Sequence, residues 1–283
     1  MYPEISVITA CHNHGRYIEE MIFSVLVQSF TDFEMIIVND GSTDNTKEIL
    51  DKISDEKVRI FHTDNKGPSH ARNIAIKSAK APLILNLDAD DKIAPDLLEK
   101  GLNILIKNPD AGIVYSDCRY FGARTGWMNT GNFNLRRMLT ENQIISAAFF
   151  RKKDWEITGG YCERFIYGLE DWDLWLSIIE LGRDVIKIPD SLVYYRTYKN
   201  ITESRSGRRN SDRMMSEFSN ALILDRHREL YERFPDVYRK HSKKTTGIEK
   251  EIFPVRLLKN INFILKQKIR FFIQDKVTQG YWK

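Results

Sequence analysis

Short apolar runs alternate with amphipathic stretches through the first third of the chain, and that alternation leaves few folds open to it. Residues 4–10 form an apolar run that predicts a buried parallel strand. Residues 16–29 then place Ile18, Met21, Ile22, Val25 and Leu26 on one helical face. Further strands are expected over 33–38, 58–62 and 83–87, with helices between them through Leu50 (capped by Ser42 or Thr43) and over 69–80. This order predicts an α/β fold with a mostly parallel, doubly wound sheet flanked by helices. In such sheets ligands bind in the crevice at the carboxyl ends of the strands. Each polar cluster here follows directly on a strand, so His12, Asp40 and Asp88 are expected around one cleft although they lie far apart in sequence.

Farther on, a helix is expected over 96–107, a strand over 112–117 and a helix over 170–181, with closing strands over 184–188 and 192–196. Residues 118–140 are Gly-rich and irregular, which suits a loop that covers a substrate. After 204–207 the composition turns to long basic helices. The expected division is a catalytic domain over 1–205 and a basic helical extension over 206–283. Within the first, residues 1–100 and 101–205 are expected as two halves.

Three acids in Asp88-Ala89-Asp90-Asp91 repel one another unless a cation or hydrogen-bond donors compensate. Mg²⁺ and Mn²⁺ favour such oxygen ligands and share one or two carboxylates with substrate phosphates. The competing reading is a polar turn in which Asp91 caps the next helix. Asp40 is either a turn residue or an acceptor for a base ring N–H, and Arg72 is either a cation at the nucleotide edge or the partner of a carboxylate. Glu170-Asp171 opens a helix whose dipole favours acids. A carboxylate there could also take the proton of a sugar hydroxyl. Asp171 is the candidate, with Glu170 and Asp173 left open. Trp172 and Trp175 are either an acceptor platform or a core stripe.

With these residues assembled, the chain resembles the large family 2 of inverting glycosyltransferases with the GT-A fold. The matching stretches are Ser6-Val7-Ile8-Thr9-Ala10 with Asn13, and Gln28-Ser29-Phe30-Thr31-Asp32-Phe33-Glu34. Val38-Asn39-Asp40-Gly41-Ser42-Thr43-Asp44, Gly67-Pro68-Ser69-His70-Ala71-Arg72-Asn73 and Leu87-Asp88-Ala89-Asp90-Asp91 follow. Gly159-Gly160-Tyr161 through Gly168-Leu169-Glu170-Asp171 completes an ordered series over roughly residues 4–200. The resemblance implies that Ala10, His12, Asp40, Arg72 and Asp88 lie at the nucleotide. Asp90, with Asp88, would hold a divalent metal, Mg²⁺ or Mn²⁺. Asp171 would be the base, and Glu170 and Trp172 would face the acceptor. It further implies a nucleotide-sugar donor, a UDP-sugar foremost, and a glycan or lipid-linked glycan acceptor. Two positions depart from the pattern: His12 stands where many relatives carry Tyr, and Tyr198 where relatives often carry a His that completes the metal shell.

Bulk properties exclude several classes. The net charge of +4 conceals an uneven distribution: residues 205–283 carry 19 Lys and Arg against 9 Asp and Glu. Nucleic-acid binding has the charge but no recognisable module, so it is discounted. Cys11, Cys118 and Cys162 form neither a disulfide framework nor a zinc spacing, which fits a reducing, cytoplasmic setting. Residues 252–273 mix apolar helical spacing with Arg and Lys. They suit either an interfacial helix on the inner, anionic face of a membrane or packing on the catalytic domain or a second subunit as a homodimer. A nucleotidyltransferase would bring a Gly-rich basic loop after the first strand, which residues 10–14 do not resemble. A non-catalytic nucleotide-sugar-binding scaffold is the other alternative.

Overall fold

The computed structural model describes residues 2–128, 130–200, 212–243 and 245. Four strands and three helices open the chain in strict alternation: β1 (Ile5–Cys11), α1 (Ile18–Leu26), β2 (Phe33–Asp40), α2 (Thr46–Leu50), β3 (Val58–Thr63), α3 (Pro68–Ser78) and β4 (Leu83–Asn86). β1 pairs in parallel with both β2 and β4, and β2 with β3. The chain moves outward from β1 to β3 and then returns past β1 to β4. The resulting reversal of strand order opens a crevice at the carboxyl ends of β1 and β4.

The second half adds β5 (Lys92–Ile93), α4 (Leu97–Lys107), β6 (Ala111–Gly122), β7 (Gly126–Met128), α5 (Leu135–Met138), β8 (Ala148–Arg151), α6 (Lys152–Thr158), α7 (Glu170–Glu180) and β9 (Asp184–Thr197). The sheet order is β3-β2-β1-β4-β8-β6-β9-β5, with β7 paired to β6. The expected parallel order holds through β4. Beyond it the sheet is mixed, because β8 lies antiparallel between β4 and β6. Two expectations change here. Residues 118–122 continue β6 rather than open a loop, and the two closing strands are one, β9, which runs parallel to β6 across a register shift at Ser116–Cys118.

Neighbouring strand residues point to opposite faces, and both faces are covered. Val7, Met35, Ile37 and Leu85 pack with α1 and α4. Ile8, Ile36, Val38 and Ile84 pack with Ala75 of α3 and with Trp155, Trp172 and Trp175 of α6 and α7. Three C-terminal helices, α8 (Arg213–Arg226), α9 (Arg228–Glu232) and α10 (Pro235–Ser242), add to this second face through Leu222, Ile223 and Tyr231. Their attachment is also ionic. Asp173 of α7, fully buried, accepts from Arg226 Nε at 2.5 Å and His227 Nε2 at 3.0 Å, and His227 Nδ1 lies 3.0 Å from Glu180. The basic stretch 252–273 lies outside the described residues.

Candidate active site

The turn after β4 sorts its three acids by direction. Leu87 N–H donates to Ile8 O at 2.9 Å, carrying the β1–β4 pairing one residue past the strand, and Asp91 N–H then closes the turn on Asp88 O at 3.1 Å. Asp88 and Asp90 are half-buried and face the crevice. Asp88 Oδ1 accepts from Arg72 Nη2 at 2.7 Å and Ser146 Oγ at 3.1 Å, while Asp90 Oδ2 accepts from the Tyr198 hydroxyl. Asp91 is only 3% exposed and accepts the Arg196 backbone N–H at 2.8 Å. Burial, reinforced by the charges of Asp90 and Asp88, pushes its carboxyl well above the usual range. Asp96, not Asp91, stands at the N-cap of α4, so Asp91 is an anchor for β9 rather than a helix cap.

Among the described residues, Asp88 Oδ2 and Asp90 Oδ1 are left without a hydrogen-bond donor. No group of three or more His, Cys, Asp or Glu side chains is arranged there to hold a metal alone. Two hard carboxylate oxygens fit Mg²⁺ or Mn²⁺ when phosphate oxygens and water complete the shell. They would not fit a site that needs a protein cage.

Arg72, on the first turns of α3, is the hub of the site. It is 5% exposed, and its guanidinium donates to Asn86 Oδ1 at 3.0 Å, Glu170 Oε1 at 2.5 Å and Asp88 Oδ1 at 2.7 Å. Burial opposes its charge, yet the Asp88 and Glu170 carboxylates outweigh that and hold its pKa above the ordinary value. One fork thereby ties the β4 turn to the start of α7. Of the two readings open in the sequence, Arg72 takes the carboxylate-pairing one in this conformation.

The chain enters α7 through Gly168 and Leu169 at φ 100° and 74°. A left-handed Leu costs about 1–2 kcal/mol, and such strain collects where an arrangement is functionally constrained. Asp171 is left half-buried, with Oδ1 accepting from Trp172 N–H at 2.8 Å and Oδ2 from Asn142 Nδ2 at 3.1 Å. Burial and the neighbouring Glu170 charge push its carboxyl up to about 6, against the pull of the Trp172 amide and Arg72. That value suits a general base near neutral pH. Glu170 and Trp172, expected at the acceptor, instead turn inward at 2% and 3% exposure. Glu170 is committed to Arg72, and Trp172 Nε1 donates to Met138 O at 2.9 Å. Neither presents surface to an acceptor.

At the other end of the crevice, Ala10 and His12 sit at the close of β1. His12 Nδ1 donates to Asp40 O at 2.8 Å. Asp40 is 3% exposed and ties down the β3–α3 loop by accepting from Lys66 N–H at 2.9 Å, Gly67 N–H at 2.7 Å and Thr63 Oγ1 at 3.2 Å. A Cβ on Gly41 would come within 2.6 Å of Asn65 N, so the close approach of this loop requires glycine. Asn13, left-handed at φ 59°, accepts from Thr43 N–H at 2.7 Å and holds the two loops together. These bonds draw the loops after β1, β2 and β3 together at one end of the crevice.

Four residues of the site were not singled out in the sequence. Asn142, Ser146 and Arg196 gave no local signal, because each acts on an acid distant in sequence. Asn86 did give one: it is the single polar residue within the run Leu83-Ile84-Leu85-Asn86-Leu87.

Comparison with known proteins fits this geometry. The family described as "Glycosyl transferase family 2" matches residues 6–171, which take in Asp40, Asp88, Asp90, Asp91, Glu170 and Asp171.

The chain belongs to glycosyl transferase family 2.

Among its relatives, the putative teichuronic acid biosynthesis glycosyltransferase TuaG of Bacillus subtilis is 33% identical over 71% of this chain and 82% of that protein. Chondroitin synthase of Pasteurella multocida is 31% identical over 64% of this chain, but the match spans only 19% of that longer enzyme. Among solved structures, residues 1–349 of S. aureus TarS in complex with UDP-GlcNAc align with a TM-score of 0.65 at 20% identity. That alignment covers 78% of this chain and 66% of that one. Mannosyltransferase PcManGT from Pyrobaculum calidifontis, in complex with GDP-Man and Mn²⁺, gives 0.61 at 17% identity over 99% of this chain and 85% of that one. These likenesses establish the GT-A fold. No helix among the described residues is long and apolar enough to cross a membrane.

Proposed function

We propose that this family member transfers a sugar, with inversion, from a nucleoside-diphosphate donor to a hydroxyl of a glycan or glycolipid in cell-surface polysaccharide assembly. A UDP-sugar is the favoured donor. The observation that carries the reading is Arg72, whose two carboxylate partners bind the acid turn after β4 to the helix that bears Asp171. Arg72 holds Asp88 directly and reaches Asp171 through its neighbour Glu170, which fixes the nucleotide-side acid and the basic carboxylate relative to each other, as transfer between two substrates needs. The company of relatives named for teichuronic acid and chondroitin synthesis supports the polysaccharide assignment.

In this reading the acceptor oxygen bonds to the anomeric carbon on the face opposite the diphosphate. Its proton passes to Asp171 as the bond from that carbon to the diphosphate oxygen breaks. Asn142 holds the Asp171 carboxylate in one orientation by its 3.1 Å bond. Asp88 and Asp90 would hold the divalent cation, which supplies positive charge against the leaving diphosphate when bound. His12, with the loops stapled by Asn13 and Asp40, borders the base.

A transfer screen over UDP- and GDP-sugars, with and without Mn²⁺, tests the reading. The expected outcome is turnover of one donor class that stops in excess chelator. Full turnover in chelator would remove the metal from the account. Undiminished transfer by Asp171→Asn would remove the base.

A further inference from the structure

From Arg196 to Tyr198 the chain is pinned both to the acid turn and to the start of α1. The Arg196 backbone N–H holds Asp91, its Nε donates to Asp90 O at 2.8 Å, and its Nη2 pairs with Glu20 at 2.5 Å. Its guanidinium also lies 4.3 Å from the centre of the Tyr17 ring. Two residues later, Tyr198 packs edge-on against that same Tyr17 ring, with centroids 6.0 Å apart, and its hydroxyl donates to Asp90 Oδ2. The clasp around Arg196 therefore delivers a phenol hydroxyl to the acid that faces the crevice.

Resting on the donor-site reading above, we propose that Tyr198 is a latch on Asp90, holding one carboxylate oxygen in the nucleotide-free protein so that a divalent cation stays only when a diphosphate is also bound. With the latch closed, one oxygen of Asp90 is committed to Tyr198 and one of Asp88 to Arg72 and Ser146. The protein alone then offers two oxygens, too few for a cation that prefers six. Two phosphate oxygens raise the number of anionic ligands enough to retain it. Tyr198 is a positioning residue in this scheme: it touches the metal-facing acid and neither substrate. It also guards the acid pair against idle metal binding.

Mn²⁺ binding to the full chain, read by the loss of its free-ion paramagnetic resonance signal, tests the latch. Titrations are run alone, with UDP and with GDP, on the parent protein and on Tyr198→Phe. The Phe ring keeps the packing on Tyr17 and removes only the hydroxyl. A hydrogen bond to a charged group is worth about 1.5–3 kcal/mol, roughly a tenfold or larger change in affinity. The parent should bind Mn²⁺ weakly alone and at least about tenfold more tightly with one of the nucleotides. The Phe variant should gain about tenfold or more in nucleotide-free affinity and so narrow that difference. Equal nucleotide-free affinities for parent and variant, with the nucleotide effect intact in both, would overturn the latch and leave the donor site standing. If neither nucleotide tightens Mn²⁺ binding to either protein, the donor-site reading falls and the latch with it.

Discussion

The two acid-rich turns of the crevice solve the same electrostatic problem in different ways. Each sets acids side by side, and in each the neighbour of an outward acid turns inward: Asp91 beside Asp90 after β4, and Glu170 beside Asp171 at the start of α7. Glu170 meets the Arg72 guanidinium at 2.5 Å, a charge partner that compensates its burial. Asp91 meets the Arg196 backbone N–H, and its charge is opposed by burial and by two neighbouring acids. The acids left outward differ accordingly. Asp88 and Asp90 each keep one oxygen without a donor among the described residues, while Asp171 has its affinity for a proton raised. In the function proposed above, the same local composition would serve cation binding at one turn and proton transfer at the other. Arg72 touches both turns, but it compensates the inward acid of only one: it pairs with Glu170 in the second turn and with the outward Asp88 in the first.

The largest expected effect breaks the second turn chemically. Asp171→Asn should lower transfer by about 10²–10⁴-fold while UDP or GDP affinity stays within about twofold. Steady-state rates and nucleotide titration separate the two. Next comes the cation that joins the turns. Arg72→Met takes the charge partner from the buried Glu170 and should cost about 3–5 kcal/mol of stability in chemical denaturation. Glu170→Gln, which keeps an acceptor for the guanidinium, should cost less.

A gentler test uses pH. Asp171 acts as a base only when ionised, and its carboxyl is pushed up to about 6. The rate at saturating substrate should therefore climb through about pH 6 and level off above it, and Asn142→Ala should displace that limb without abolishing transfer. The smallest effect lies farthest from the crevice. His227, held between Asp173 and Glu180, resists the downward pull of burial and has a folded pKa above its ordinary 6.5. Its contribution to stability is complete below about pH 6.5 and fades as pH rises through the folded value. His227→Gln should flatten that part of the stability profile in thermal melts taken from pH 5 to 9.

The sheet's first half was legible because hydrophobic period and turn chemistry agree there. Residues 83–87 are apolar but for Asn86 and stop at Asp88, so the strand end and its acids announce each other. The second half was less so. Between Ser116 and Cys118 the pairing of β6 with β9 shifts register, which breaks the alternation that marks a strand, and residues 118–122 therefore read as loop. From the residues alone Asp90, Asp91 and Asp171 could be picked out as acids, and only the family resemblance gave Asp90 and Asp171 roles. The groups that sort Asp90 and Asp91, Arg196 and Tyr198, lie more than 100 residues away in sequence. The inward turn of Glu170 and Trp172 depends on the left-handed entry at Leu169, a conformation a β-region residue gives no sign of adopting.

The claim at the centre is that Arg72 makes one site of two turns. Asp88 and Glu170 both bond to that guanidinium, so a double-mutant cycle of Asp88→Asn and Glu170→Gln measures whether it couples them. Unfolding free energies of the four proteins should show a coupling of about 1 kcal/mol or more, within the range for residues sharing one ionic network. Costs that add to within about 0.5 kcal/mol would mean that the two turns are independent, and the joined site would have to be abandoned.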